Sequence, residues 1–406
     1  MAVAQGISKY TTIVKQSALG TPGSTGSVKR RRTSSVFTAP NDTYQSAEIV
    51  SHQQDTGITF GIKKPNGKIN CQLSAGTYFL ELAALCRKDF VAGVNSTALT
   101  NVTAATTSGA QGTFTRAAGS FLTDGFKLFD VIRWTGWAGG SATNNNTKNM
   151  LIIGLTATVM TVTTLDGSAI VADAAGDSVT ATVVGKKTFA PTTGHTNDYF
   201  SIEEAYTDLT KFELYTDAKP AKAEIACPAT GNVTINFDWL ALARTLGNAA
   251  VLTSPGAETT TPTFGAANSF IWVNGTVFPV TGMNITLDGT TVAGDAECGT
   301  NTLSDHNRGR IKVSGSFTAL FKDTTIQALY NAQAPISVVL LCFDTTAVTS
   351  SFVTFVMTAC KITGDAPDDG EKQVVRTYPF TAQLDAAGGA ALANNQTIIS
   401  IQDSNA

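Results

Sequence analysis

Gly67-Lys68-Ile69-Asn70-Cys71-Gln72-Leu73-Ser74-Ala75-Gly76-Thr77-Tyr78 runs without a break into Phe79-Leu80-Glu81-Leu82-Ala83-Ala84-Leu85-Cys86-Arg87-Lys88. Lys68 to Leu73 reads as a strand. With Ile58-Thr59-Phe60 it frames Pro65-Asn66-Gly67, which signals a hairpin turn. Thr77 to Lys88 reads as one amphipathic helix of about three turns, with Tyr78, Phe79, Leu82 and Leu85 on one side. Ser74 or Thr77 can cap its first turn, and Arg87 and Lys88 suit the dipole at its end. The same order returns later in the chain. Gly309-Arg310-Ile311 opens a strand that leads to a short helix, Asp323 to Asn331, capped by Asp323. Long polar loops precede the two units, at 41–57 and 288–308. Strand, long loop, strand, helix and further strands therefore occur twice, the mark of an internal duplication.

Composition agrees with an all-β chain carrying a few short helices. Of 406 residues only 15% are charged, and Gly supplies 36. Thr is abundant, and such β-branched, Gly-rich composition suits strands. With 43% apolar residues the chain can bury sizeable cores and is not disordered. Its net charge of −3 provides no global basic field for nucleic acid. The apolar run Pro335 to Phe343 is too short to span a bilayer. Lys9 and Lys15 interrupt the N-terminal stretch, so a secretory signal is not expected. The six cysteines (71, 86, 227, 298, 342 and 360) form no CxxC pair and are expected to be reduced, buried thiols.

Further strands follow from alternation. Val233, Ile235 and Phe237 oppose Thr234, Asn236 and Asp238; Met283, Ile285 and Leu287 oppose Asn284 and Thr286; Ile311, Val313 and Phe317 oppose Lys312, Ser314 and Ser316. Tyr199–Ile202, Lys211–Tyr215, Val338–Phe343, Phe352–Thr358 and Val374–Phe380 complete the set. Between them, residues 102–187 are rich in Asn, Thr, Gly and Ser, with short strands at 131–134 and 151–154 and frequent turn signals. They read as a small β-barrel inserted into the first unit. The expected division is an extended arm at 1–34, a first domain at 35–101 and 188–250, the insert at 102–187, a linker at 251–265, and a second domain at 266–406.

Catalytic chemistry finds no place in this pattern. The three histidines are His52, His195 and His306. Ser304-Asp305-His306 lies on one loop, where adjacent residues cannot adopt nucleophile–base–orienter geometry. Asp365, Asp368, Asp369 and Glu371 lack Ca²⁺-loop spacing and read as a solvated turn. Asn41-Asp42-Thr43, Asn232-Val233-Thr234 and Asn274-Gly275-Thr276 are chance glycosylation tripeptides in a Thr-rich chain. Trp134 and Trp137 could stack on sugar, although a packed core explains them better. The run Lys29-Arg30-Arg31-Arg32 lacks the interleaved aromatics of a nucleic-acid patch and suits solvent or a subunit contact. No catalytic, metal or cofactor site is assigned. What remains is a duplicated, low-charge β chain whose edge strands need partners, and symmetric self-assembly supplies them.

The stretches Asn41-Asp42-Thr43-Tyr44-Gln45-Ser46-Ala47-Glu48-Ile49, Gly67 to Tyr78 and Leu85-Cys86-Arg87-Lys88-Asp89-Phe90 resemble the tail tube proteins of long-tailed bacteriophages. Gly112 to Phe121 and Asp124-Gly125-Phe126, followed by Asp130-Val131-Ile132-Arg133, look like a module carried by one branch of that family. The likeness is best over residues 20–160. It implies two tail-tube-like β-sandwich domains in tandem, each with a flanking helix, and no enzyme activity. Neighbouring domains would join strands into an inner β-barrel around a DNA channel. Two domains per chain imply trimeric rings with pseudo-sixfold symmetry, stacked into a virion tail tube and assembled in the host cytoplasm. The implied partners are the chain itself, the tail tip or initiator, the tape-measure protein, the terminator and DNA in passage; no membrane is involved. Assembly contacts are expected at Lys29, Arg30, Arg31, Arg32, Asn41, Asp42, Tyr44, Ser46, Glu48, Asp305 and His306. The channel face should be neutral or acidic, the arm should lie outside it, and the insert should project outward and be dispensable. The alternative is a phage fibre or surface β protein that binds carbohydrate, whose trimers would have fixed length; a depolymerase would need a carboxylate pair that cannot be singled out.

Overall fold

Period-two alternation sorts the side chains into layers. Along Thr234–Leu240 the residues Ile235, Phe237 and Trp239 are buried, and those between them are half-exposed. Along Val280–Asp288 the same holds for Met283, Ile285 and Leu287. The computed structural model describes residues 3–278, 280–368, 370–371 and 373–406. The chain is all-β with short helices, chiefly Phe79–Cys86 and Thr325–Asn331, and one sheet system of 19 strands collects both halves.

Two pairing schemes match, strand for strand. In the first half, Lys9–Lys15 pairs with Phe200–Tyr206, which pairs with the start of the long strand Lys211–Pro228. Ala243–Gly247 covers the other side of that start. The rest of Lys211–Pro228 pairs with Thr234–Leu240, then Asn66–Gln72, then Ser34–Thr38. In the second half, Ser269–Val273 pairs with Ile336–Phe343, which pairs with Phe352–Ile362, with Ser400–Asp403 on its other side. The end of Phe352–Ile362, continued by Ala366–Asp368, pairs with Val375–Ala382, then Lys312–Leu320, then Val280–Asp288. All these ladders are antiparallel. The halves meet where Lys222–Pro228 pairs with Gly282–Asp288, so one sheet runs unbroken from Ser34–Thr38 to Ala366–Asp368. A single apolar core, including Ile69, Phe237, Ile285, Phe317 and Phe380, lies behind it.

Several expectations change. Ile58–Lys63 pairs with Asn41–Gln45, not with Asn66–Gln72. Pro65 therefore passes the chain from one sheet to the next and closes no hairpin. The first helix is shorter than read: it has no side-chain cap, and Arg87, in the left-handed conformation, ends it. The expected arm contains Lys9–Lys15, whose Thr11, Thr12 and Ile13 are fully buried. The 251–265 stretch is not a free spacer. Phe264 is buried in the core, and its backbone exchanges bonds with Leu73 and Val233. All six cysteines are free thiols, five buried and Cys298 exposed. Asp369 lies outside the described residues. Among the described residues no helix is long and apolar enough to cross a membrane.

The insert forms a six-stranded sheet, from Thr180–Val183 through Val131–Thr135 to Val102–Ser108. It curls until isolated pairs join Leu99 to Val179 and Ala104 to Asp173. Trp134 and Trp137 are buried among Phe114 and Phe121 and offer no platform for sugar. The insert does not stand apart as a projection. Val131, Leu151 and Leu165 share a core with Trp272, Val339, Leu341 and Phe343 of the second half. The Gln402 side chain bonds both backbone groups of Val131, each at 2.9 Å, and the carbonyl of Val184 at 2.8 Å. Lys186–Phe189 leaves the insert as a neighbour of Ser400–Asp403. Gly185 allows that approach at positive φ, because a Cβ there would strike the Asp403 carbonyl.

A brace of this kind has a measurable consequence. Leu151→Ala should lower stability by about 2–5 kcal/mol in urea unfolding, the usual range for a cavity in a closed core. Replacing 102–183 by a short polar linker should bare Trp272, Val339 and Leu341 and yield aggregated protein. A deletion variant with the wild-type urea midpoint would show that the insert carries no share of the core.

Candidate assembly surfaces

The unbroken sheet has one face on the core and one face open. Cross-strand register places Lys68, Asn70, Asn236, Asp238, Lys222, Glu224, Asn284, Asp288, Lys312 and Ser316 on the open face. Its basic groups are Lys68, Lys222, Lys312 and, near one edge, Lys361; its acidic groups are Glu224, Asp238, Asp288 and Asp368. The Lys68 ammonium lies 3.4 Å from Glu224 and 3.6 Å from Asp238, and the Lys222 ammonium lies 2.5 Å from Glu224. Asp288 stands opposite Lys222 on one side and Lys312 on the other. The hydrogen bond from Lys222 holds the Glu224 carboxyl below its ordinary range, and the same bond raises Lys222. The face is therefore largely polar and balanced in charge, with Ser, Thr and Asn between the ions and Val36 exposed at one edge.

Both ends of this sheet are unpaired among the described residues. Ser34–Thr38 has a neighbour on one side only, Asn66–Gln72. Ala366–Asp368 likewise pairs only with Val375–Ala382. An unpaired edge is a template for another strand. The sequence gives little sign of these edges, because edge and centre strands share the same alternation.

The residues singled out from sequence lie in three places. Lys29 to Arg32 are folded against the chain. The Lys29 ammonium sits 4.6 Å from the Tyr10 ring centroid. Arg30 is buried and forks onto Glu81 at 2.6 and 3.2 Å. Arg31 donates to the carbonyl of Thr261 at 2.5 Å, and Arg32 donates to that of Lys9. The run thus fastens the N-terminal strand to the first helix. Asn41, Asp42, Tyr44, Ser46 and Glu48 belong to an outlying hairpin and its loop, where Asp42 meets Lys64 at 2.7 Å. Tyr44, Ile49, Ile58 and Phe60 are large apolar side chains exposed on that hairpin and loop.

Asp305 and His306 join the two halves within one chain. Asp305 accepts the Tyr199 hydroxyl at 2.7 Å and lies 3.5 Å from the Lys219 ammonium. Burial pushes Lys219 down to about 8. His306 is buried, with Nε2 2.9 Å from the Asp217 carbonyl, and burial lowers its pKa. The base of the hairpin and the 289–311 loop also touch: the Lys63 amide donates to the Asn301 carbonyl at 3.1 Å. No cluster of three or more metal-ligating side chains occurs among the described residues.

A family model described as phage tail tube protein matches residues 8–382. No curated protein matches the chain.

The Arg30–Glu81 pair provides a test of what the basic run does. Arg30→Met should cost about 3–5 kcal/mol in urea unfolding, because Glu81 is then buried without its counter-charge. Adding Glu81→Leu should restore most of that loss. A single variant within about 0.5 kcal/mol of wild type would mean that the pair is an ordinary surface contact.

Proposed function

The chain belongs to the phage tail tube protein family, a family of structural proteins, and from that premise we propose that three copies close into a ring and that rings stack into the channel for DNA. The observation that carries the reading is the seam between Lys222–Pro228 and Gly282–Asp288. It joins two matching pairing schemes inside one chain. Ser34–Thr38 occupies in the first scheme the place that Val280–Asp288 occupies in the second. The 360–368 stretch occupies the place of Lys222–Pro228. Repeating the internal seam between copies pairs one free edge with the other. Three chains with two units each then give pseudo-sixfold symmetry.

On this reading the open face of the sheet lines the channel. Phosphate binding draws its strength from counterions released at free Lys and Arg. Lysines already matched by Glu224, Asp238 and Asp288 release few, so DNA slides. The outlying hairpin with Tyr44, Ser46, Glu48 and Ile49 would reach the adjacent ring, together with Asn41 and Asp42 at its base. Lys29 to Arg32, and Asp305 with His306, would act within the subunit by holding the elements that present these surfaces. The tail tip or initiator, the tape-measure protein and the terminator would meet the tube at its ends and in its lumen, with assembly in the host cytoplasm.

Negative-stain microscopy of the purified full-length protein over a concentration series tests the reading. Rings or hollow tubes with threefold or pseudo-sixfold end views are expected. Compact trimers of fixed length would favour a fibre instead. Glu224→Gln combined with Asp238→Asn should free Lys68 and Lys222. Assembled tubes of that variant should retain DNA in a salt-dependent manner, whereas wild-type tubes should not; equal retention would remove the lumen assignment.

A further inference from the structure

Where the 289–311 loop meets the unbroken sheet, the chain carries a groove of about 860 Å³. Arg87, His195, Arg308 and Arg310 line it beside the apolar Ile311 and Leu384. The Arg87 guanidinium donates to the carbonyls of Gly289 at 2.8 Å and Gly309 at 2.7 Å, and that of Arg308 to Thr196 at 2.7 Å. These bonds go to neutral carbonyls and leave the charge uncompensated. None of the three arginines forms an ion pair among the described residues, although 14 such pairs occur elsewhere in the chain. Burial, and after it the charge on Arg308, lowers the Arg87 pKa, so the two guanidiniums repel one another.

Matching acidic groups lie at the other end of the sheet. Asp368 and Glu371 are exposed and make no ion pair among the described residues, whereas Asp365 is held by Arg376 at 2.6 Å. Register fixes the separation. Asp288 pairs with Lys312 at the groove end, and Val375 pairs with both Leu320 and Asp368 at the other. The strand between them, at about 3.3 Å per residue, keeps the two sets roughly 25 Å apart. They cannot meet within one chain.

We propose that the segment carrying Asp368 and Glu371 seats in the Arg87–Arg308–Arg310 groove of the next copy along the tube axis. The inference rests on the tube reading above and assigns the polarity contact between its rings. A groove at one end and its complement at the other make a head-to-tail contact that does not close on itself, so it propagates. Guanidiniums take carboxylates in a forked, directional pair, which fixes orientation as well as attraction. Wrong-way stacking would place arginine on arginine and carboxylate on carboxylate, and so be rejected.

Charge reversal in the full-length protein tests this. Arg308→Glu with Arg310→Glu should raise the concentration at which tubes appear roughly tenfold or more, and so should Asp368→Arg with Glu371→Arg. All four changes in one chain should restore tubes. Circular dichroism checks that each variant is folded. If both reversed proteins form tubes as readily as wild type, the groove takes no part in stacking. If the four-fold variant fails to recover, or if only the arginine variants fail, the occupant is not the acidic segment of a second copy. In each of these outcomes wild-type tubes still form and the tube reading stands. Wild type that yields neither rings nor tubes at any concentration overturns the tube reading itself, and this contact with it.

Discussion

Everything in this architecture depends on one bent strand. Lys211–Pro228 begins between Phe200–Tyr206 and Ala243–Gly247, then turns and continues between Thr234–Leu240 and Val280–Asp288. The turn has local causes. Asp217 takes a positive φ of 53°, and the register slips between Pro220 and Lys222. An extra residue on one strand bends the ladder and sharpens its twist. The bend is also clamped from outside, by His306 on the Asp217 carbonyl and by Asp305 near Lys219. Residues of the second half therefore set the angle at which the first half delivers its seam strand. The second half bends differently, breaking the strand between Ile362 and Ala366.

The two halves share a pairing scheme but cover their outer sheets differently: Leu252 makes only a small apolar contact on Val14 and Leu214 in the first, whereas a broad apolar patch is covered in the second. In the first half Glu203 is fully buried, and its carboxylate accepts the amides of Val251 at 2.7 Å and Leu252 at 3.4 Å. The chain that follows Ala243–Gly247 thus closes that surface with hydrogen bonds. In the second half Trp272, Val339, Leu341, Phe343 and Val356 are apolar, and the insert closes the surface by excluding water. Each such side chain, fully buried, is worth about 1.5–3 kcal/mol. A duplicated fold was thus free to diverge wherever its surface faced another part of the same chain.

This division also explains what the sequence revealed and what it hid. Alternation exposed Val233–Phe237 and Met283–Leu287 because each has one wet face and one dry face. It did not expose Lys9–Lys15, whose Thr11, Thr12 and Ile13 are all buried, so no face reads as polar. The Pro65-Asn66-Gly67 turn signal misled: Asn66 and Gly67 already belong to the strand Asn66–Gln72, and its partners are chosen by tertiary packing, not by a local turn signal. The basic run at 29–32 was visible as charge; only the fold shows that Glu81 takes up Arg30. The unpaired edges and the arginine groove were harder still. Arg87 lies far along the chain from Arg308 and Arg310, and nothing local marks it as their neighbour.

In the proposed ring, a covalent duplication would settle one seam in two before any copies meet. Within the chain the linker fixes the halves, the insert braces the second half, and Asp305 and His306 hold the bend. The seam between Lys222–Pro228 and Gly282–Asp288 therefore forms without the translational and rotational cost of association. The remaining seams of that ring would join edges left bare, and a bare edge invites indiscriminate strand addition. The chain limits that hazard with short edges: Ser34–Thr38 spans five residues, and Ala366–Asp368 spans three and includes Pro367, which lacks an amide donor. Each is a weaker template than the internal seam strands. Closure into the proposed ring would strengthen them together, because the final seam would join copies already held in place. A tube built this way would gain order from the seams that were never free to be wrong.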